Sequence, residues 1–203
     1  GSSSEFHYAQ SISSKVEKKY IQTETITTAR NAAQQVVNLF EGTNTKIYAM
    51  HYSDKAYVDM ETFEFFDLSS EVNQIAALRE HINSFPDNES GYSNMGDALR
   101  RGIDLLNHPT KSSPDASKYL IILTANAPNK WTSSFDPITG DAITIEGDGT
   151  IDADGTGLNY ALIMASSLKN SDIKTIFVNN SVKDISANIE NIAVAAGSDP
   201  VDG

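Results

Sequence analysis

The amphipathic pattern near the start of the chain predicts a helix over residues 23–40. Apolar residues recur there at intervals of three and four, which places them on one helical face: Ile26, Ala29, Ala33, Val36, Val37 and Phe40. Thr23 supplies a polar start and Gly42 a stop. The same periodicity predicts four further helices, over residues 72–85, 95–106, 158–168 and 185–196.

Apolar runs between these helices predict the strands. Residues 118–124 and 173–178 are mostly apolar, which is typical of parallel strands covered on both faces. Residues 46–52 predict another strand, residues 56–68 an edge hairpin, and residues 4–8 a short first strand. This alternation predicts an α/β fold with a doubly wound, mostly parallel sheet and helices on both faces.

An insertion lies between the strand that ends at residue 124 and the helix that begins at residue 158. Residues 142–145 can lie opposite residues 150–151 across a glycine-containing turn. The pattern therefore predicts an inserted surface hairpin around residues 136–153.

Length and charge narrow the class of protein. Residues 1–6 resemble a cloning remnant, so residues 7–203 are expected to form a single domain. The net charge of −12 argues against nucleic acid, because phosphate binding depends on Lys and Arg. The absence of cysteine removes disulfides, zinc thiolates and thiol nucleophiles. No apolar run reaches the roughly 18–20 residues needed for membrane insertion.

Three stretches of sequence stand at the predicted carboxyl edge of the sheet. Residues 9–13 read Ala-Gln-Ser-Ile-Ser, residues 91–99 read Gly-Tyr-Ser-Asn-Met-Gly-Asp-Ala-Leu, and residues 123–129 read Leu-Thr-Ala-Asn-Ala-Pro-Asn. They resemble the loops of von Willebrand factor A domains. In that family Asp-x-Ser-x-Ser, a Thr before x-x-x-Asp-Ala-Leu, and Thr-Asp-Gly form a metal-ion-dependent adhesion site. The resemblance extends from about Ser11 to the C terminus.

The resemblance carries over only three of the family's metal ligands. Ser11 and Ser13 stand at the two serine positions, and Ser93 supplies a hydroxyl where Thr is usual. Ala9 and Ala125 stand where the family has its two aspartates. Mg²⁺ normally needs one or two carboxylates to offset its charge. The resemblance therefore implies that Mg²⁺ is bound weakly or not at all, and that no cofactor is tightly bound.

Other interpretations of these residues stay open. Ser11 and Ser13 are also typical of loops and caps, and Ser93 could instead cap the helix that begins at residue 94. Asp97 fits a first-turn charge that complements the helix dipole. Natural loss of the metal site and deliberate replacement of its aspartates by alanine would give the same sequence.

The remaining candidates for chemistry are weaker. The four histidines show no metal-binding spacing, and the chain contains no Gly-x-Ser-x-Gly elbow and no phosphate-binding glycine motif. Asp148, Asp152 and Asp154 resemble a calcium loop, but the closing Glu is missing, and a solvated acidic turn is the alternative. We therefore expect no enzymatic activity.

These patterns together predict a binding module. Ligands of parallel α/β sheets lie beyond the carboxyl ends of the strands, so we expect a protein or glycan ligand there, contacted by Ser11, Ser13, Ser93, Asn126 and Trp131. A lone Trp in a polar loop is a typical contact hot spot. The first expectation is an adhesion or assembly module of a secreted or cell-surface protein, such as a pilus or adhesin subunit. The alternative is an intracellular scaffold that recruits partners to a multiprotein complex.

Overall fold

Helices and strands alternate along the chain in the computed structural model, which describes residues 20–22, 29–86, 91–151, 155–179 and 183–198. The helices are α1 (Ala29–Phe40), α2 (Ile75–Asn83), α3 (Met95–Leu106), α4 (Thr156–Ser166) and α5 (Lys183–Ala195). The strands are β1 (Tyr20–Gln22), β2 (Lys46–Ile47), β3 (His51–Tyr52), β4 (Ala56–Tyr57), β5 (Phe66–Asp67), β6 (Lys118–Thr124), β7 (Trp131–Phe135), β8 (Ala142–Glu146) and β9 (Ile173–Asn179). The α/β class is confirmed.

A parallel sheet forms the centre of the described structure, in the strand order β1-β9-β6. The register of β6 on β9 runs from Lys118 opposite Ile173 to Thr124 opposite Asn179. On the other side of β9, Tyr20 of β1 pairs with Phe177. Because the strands are parallel, Thr124 and Asn179 lie at the same carboxyl edge.

Helices cover both faces of this sheet. Ala32 of α1 packs with Ile176 and Val178 on one face. Phe177 points to the opposite face, since side chains alternate along a strand, and it lies in a cluster contributed by α3, α4 and α5: Met95, Leu99, Ala161, Ala165, Ile189 and Ile192. Complete burial of a side chain such as Phe177 contributes about 2 kcal/mol to folding. The wider doubly wound sheet stays a prediction.

A second apolar cluster joins α1 to α2 and β5, through Val37, Leu68, Ile75, Leu78 and Ile82. Beside it, residues 46–52 form two short strands rather than the single strand predicted. β2 pairs antiparallel with β5, and β3 pairs antiparallel with β4. The predicted hairpin over residues 56–68 is therefore wrong in its pairing, because both of its strands pair with the preceding segment after the chain reverses at residues 53–55.

The insertion forms a hairpin, but from other strands than predicted. β7 pairs with β8, so the pairing of residues 142–145 with residues 150–151 is wrong. The turn forms at Asp136, whose Oδ1 accepts the N–H groups of Ile138 and Thr139 at 2.7 and 2.9 Å. The N–H of Asp136 also donates to the carbonyl oxygen of Asp141 at 2.8 Å. An aspartate that bonds its own following backbone is a strong turn former.

The ends of the elements differ in part from the prediction. Helix α2 begins at Ile75, three residues later than predicted, because Asn73 adopts a left-handed conformation with φ of 49°. The predicted first strand over residues 4–8 lies outside the described residues. Within the described ranges, the helices are too short or too polar to cross a membrane.

Candidate functional site

Three loops meet beside the carboxyl end of β6: residues 53–55, residues 91–94 before α3, and residues 125–130. The N–H of Asn94 donates to the carbonyl oxygen of Ser53 at 2.7 Å. The carbonyl oxygen of Ser93 accepts the N–H groups of Asn129 and Lys130 at 3.0 and 3.3 Å. Residues 91–94 therefore form the middle loop and hold the other two.

Asn129 makes three hydrogen bonds that fix this arrangement. Its Oδ1 accepts the N–H of Ser93 at 2.7 Å, and its Nδ2 donates to the carbonyl oxygens of Gly91 and Gly149 at 3.0 and 2.8 Å. Only 7% of the residue is exposed. Asn129 thus ties the middle loop to the segment after β8, a role that the sequence analysis did not assign to it.

Ser93 points inward rather than toward solvent. The residue is 2% exposed, and its Oγ donates to the carbonyl oxygen of Asn126 at 3.4 Å. Thr124 Oγ1 donates to the same carbonyl oxygen at 3.2 Å. Burial raises the pKa of Tyr52, and hydrogen bonds of its hydroxyl with Thr124 and Ser93 oppose that rise only in part. These hydroxyls form a neutral buried network under residue 126.

Asn94, not Ser93, caps helix α3. Its Oδ1 accepts the N–H of Asp97 at 3.1 Å, while its Nδ2 donates to the carbonyl oxygen of Asp54 at 2.8 Å and to Thr132 Oγ1 at 3.0 Å. The interpretation of Ser93 as the cap is therefore wrong, since Ser93 stands one residue earlier. One asparagine side chain joins the helix, the loop after β3 and strand β7.

Asp97 lies in the first turn of α3, and it is also the centre of a buried ion pair. Its Oδ1 accepts Nε and Nη2 of Arg100 at 3.1 and 2.6 Å. Its Oδ2 accepts the N–H of Ala56 at 2.8 Å. The side chain is 1% exposed, so this carboxylate anchors β4 against α3 and is not accessible to a ligand.

The residues proposed from the sequence are brought together only in part. Ser93 contacts Asn126, and both Ala125 and Asn126 are exposed at the tip of the loop after β6. Trp131 begins β7 and is half-buried. Ala9, Ser11 and Ser13 lie outside the described residues.

The carboxylates that the structure describes near this loop are already engaged by other groups. Ala125 presents a methyl group, and Asp97 is engaged by Arg100. Asp54 accepts hydrogen bonds from Ser53, Tyr57 and the backbone of Lys55. Within the described residues, no group of three or more His, Asp or Glu side chains could hold a metal. A hard divalent cation needs carboxylates, and residues 9–13, which include three of the positions assigned to the metal site, lie outside the described part of the chain.

The acidic segment after β8 forms a tight turn at its start. Asp148 Oδ1 accepts the N–H and the Oγ1 of Thr150 at 2.8 and 2.6 Å, and these bonds hold the pKa of Asp148 below its usual value. Asp152 and Asp154 lie outside the described residues, so the calcium-loop interpretation stays open. Lys130 donates to the carbonyl oxygen of Gly147 and lies 4.3 Å from the centroid of the Tyr92 ring.

Comparison with known proteins agrees with this fold. No curated protein and no solved structure matches the chain significantly. A family model described as the von Willebrand factor type A domain matches residues 13–200, a range that contains every described helix and strand. Most of the chain is covered by this match. The chain therefore belongs to the von Willebrand factor type A domain family.

Proposed function

We propose that this chain is a non-catalytic binding module that holds a protein or glycan ligand at the loops beside the carboxyl end of β6. Membership of the von Willebrand factor type A family supports a protein-interaction or adhesion role. The observation that carries the proposal is the set of three hydrogen bonds made by Asn129. They order the loops before any ligand arrives, which lowers the entropy cost of binding.

The tip of this face is suited to contact. Asn126 is exposed and offers an amide that can donate and accept. Trp131 is half-buried and adds aromatic surface of the kind that dominates binding energy. Ser93 acts indirectly, through its bond to the Asn126 carbonyl. Ser11 and Ser13 are further contact residues of the same proposal.

A non-catalytic role is supported by the hydrogen bonds that the Ser93 and Thr124 hydroxyls make. An activated nucleophile needs a base within hydrogen-bonding reach. The hydroxyls of Ser93 and Thr124 instead donate to one backbone carbonyl. Burial keeps the pKa of the Tyr52 hydroxyl above its usual value, so that group stays protonated.

We further propose that the metal site of the family is impaired here by Ala9 and Ala125. The test is calorimetric titration of Mg²⁺ and Mn²⁺ into chelator-stripped protein, beside the double variant Ala9→Asp, Ala125→Asp. The parent should give no binding heat, and the variant should bind, because two carboxylates restore the charge that the cation needs. Micromolar binding by the parent would show that another set of ligands operates.

Two settings fit a binding module of this kind, and we favour a secreted or cell-surface one, such as an adhesion or pilus-assembly protein. The acidic balance and the lack of cysteine support that choice. The alternative is an intracellular scaffold for a multiprotein complex. Fractionation of the source cells decides between them, because recovery with the cytosol would contradict the surface assignment.

The three loops at residues 53–55, 91–94 and 125–130 together form a surface that we call the loop face. Binding at the loop face can be mapped by crosslinking. A photoreactive amino acid is placed at Asn126 and, as a matched control, at exposed Ser113 before the amino end of β6. Each protein is exposed to an array of surface proteins and glycans. The ligand that is retained should crosslink at position 126 and not at position 113. Asn126→Ala and Trp131→Ala should each weaken that binding about tenfold, or about 1.4 kcal/mol. Crosslinking only at position 113 would refute the proposal.

A further inference from the structure

Among the residues that the structure describes, no strand pairs with the outer edge of the β7–β8 hairpin. The two strands form a separate two-stranded sheet within the described residues. β7 packs against α3 and α4, so β8 is the outer strand. Its outer edge carries backbone N–H and C=O groups that can pair with another chain.

Two features that usually prevent strand addition, Pro and Lys, are missing from β8, although its pairing with β7 shifts register on both sides of Ser134. β8 reads Ala-Ile-Thr-Ile-Glu, which is rich in β-branched residues and contains no Pro and no Lys. Ile143 at its centre is 65% exposed, and Ile138 in the adjoining turn is 92% exposed. A strand edge with exposed apolar side chains and neither Pro nor Lys is suited to accept an added strand.

Charge identifies the kind of strand. Residues 131–151, all of which the structure describes, contain four acidic residues and no Lys or Arg: Asp136, Asp141, Glu146 and Asp148, of which Asp141 is paired with Arg101. Arg100 and Arg101 lie beneath the hairpin, where 9% and 2% of each residue is exposed. The outer surface of the hairpin therefore attracts cations.

The same charges disfavour a second copy of the chain as the partner. Antiparallel pairing of two β8 strands would bring the acidic ends, Asp141 and Glu146, close to each other. Each copy also carries a net charge of −12. Like charges placed side by side on paired strands are destabilising.

The hairpin is held rigidly enough to act as a template. Arg100 Nη2 donates to the carbonyl oxygen of Gly140 at 2.7 Å, and its guanidinium lies 4.5 Å from the centroid of the Phe135 ring. Arg101 Nη1 donates to the carbonyl oxygen of Thr139 at 2.8 Å, and its Nη2 contacts Asp141 Oδ1 at 3.2 Å. Two nearly buried arginines therefore hold the turn against α3. Because the hairpin is already ordered, binding of a partner carries a smaller entropy cost.

We propose that the outer edge of β8 accepts an extended, cationic segment of a partner protein as a third strand. Ile143 and Glu146 are both exposed on β8. The added segment therefore combines apolar residues, which cover Ile143, with Lys or Arg, which lie near Glu146. This surface is distinct from the loop face and goes beyond the function proposed there.

The probe is a fluorescent heptapeptide of alternating valine and lysine, compared with one in which glutamate replaces every lysine. Fluorescence anisotropy should show binding of the lysine peptide, weaker as salt rises from about 50 to about 500 mM because charges are screened. The glutamate peptide should not bind. Equal binding of both peptides would overturn the proposal.

Ile143→Glu is the decisive variant. It adds negative charge to the hairpin, so simple ion attraction predicts tighter binding of the lysine peptide. Strand addition over an apolar contact predicts binding at least about tenfold weaker. Val194→Glu in α5 is the matched control, because Val194 is an exposed apolar residue on another element, and it should leave binding unchanged. Unchanged or tighter binding by Ile143→Glu would refute strand addition.

Hydrogen exchange locates the peptide. The amides of residues 142–146 should gain protection when the lysine peptide is bound. Protection confined to residues 91–94 and 125–130 would place the peptide on the loop face and overturn this assignment. A dimer of the free chain that Ile143→Glu dissociates would identify a second copy as the occupant instead. The crosslinking experiment at position 126 tests the loop-face proposal by itself, so failure of strand addition at β8 leaves that proposal to its own test.

Discussion

Asp97 and Arg100 form a buried ion pair in which Asp97 Oδ1 lies 2.6 Å from Arg100 Nη2. The Asp97 side chain is 1% exposed and the Arg100 side chain 10%. The same carboxylate accepts the N–H of Ala56 at 2.8 Å. Arg100 also donates to the carbonyl oxygen of Gly140. Through these two residues, β4, α3 and the inserted hairpin are joined in a region from which water is largely excluded.

Asp97→Asn should lower the free energy of unfolding by about 3 kcal/mol, because it leaves the buried Arg100 guanidinium with only the more distant and more exposed Asp104, 3.7 Å away, as a counter-charge. An exposed helix-dipole contact would contribute only about 0.5 kcal/mol, so the size of the loss distinguishes the two roles. Urea denaturation at neutral pH measures it. Asp115→Asn, at an exposed loop position, is the control and should change stability by less than about 0.5 kcal/mol.

Local periodicity was sufficient to predict the elements that carry the fold. Helix α3 and strand β6 have the predicted bounds, 95–106 and 118–124. Both have side-chain patterns that depend only on their own sequence and on burial. The partner of β8 was predicted wrongly. Its register depends on the turn at Asp136 and on hydrogen bonds from arginines of α3, which are distant in the sequence, to the backbone of that turn.

The site was predicted less completely for a related reason. Ser93 and Asn126 were identified from the loop motifs, and they do contact each other. Asn129 was missed because its partners Ser93, Gly91 and Gly149 lie 36, 38 and 20 residues away along the chain. No local pattern distinguishes such an asparagine from an ordinary loop residue.

Asn129→Ala should loosen the loop face. The change removes one acceptor and two donor contacts and leaves the N–H of Ser93 without its side-chain partner, a loss of about 2 kcal/mol. Hydrogen exchange should accelerate in residues 91–94 and around Gly149. Asn170→Ala, at an exposed position, should leave these rates unchanged. Unaltered exchange in Asn129→Ala would mean that the loops are ordered by other contacts.

Gly140→Ala should detach the hairpin turn from α3. Gly140 has φ of 73°, and a Cβ there would overlap Nη1 of Arg101, which is itself 2% exposed. Gly155→Ala is a matched control, because Gly155 has φ of 69° and no heavy atom of the described residues lies within 4 Å of the added carbon. Both variants carry the cost of placing an L residue in the left-handed region, about 1 kcal/mol. Only Gly140→Ala should lower the free energy of unfolding further, as measured by urea denaturation. Equal losses in the two variants would contradict the role of Arg100 and Arg101 in holding the turn against α3.

His51→Phe should make the chain less sensitive to acid. The ring of His51 stacks on Tyr57, with centroids 4.7 Å apart, and packs against Phe85 at 4.9 Å. Burial lowers the pKa of His51 in the folded state, and the neighbouring His81 lowers it further. The unfolded chain, with a pKa of about 6.5, therefore binds a proton more readily than the folded chain. The stability associated with neutral His51 is present above that value and is lost as the pH falls below it.

The measurement for His51→Phe is urea denaturation of parent and variant at pH 8, 6.5 and 5. The difference at pH 8 reflects packing alone, because the histidine is neutral in both states there, and it is subtracted at the lower values. The parent should then lose stability faster toward pH 5, with an extra slope of at most about 1.4 kcal/mol per pH unit for one proton. Phenylalanine keeps the stacked ring but cannot take up a proton. Parallel stability curves would therefore show that protonation of His51 does not oppose folding.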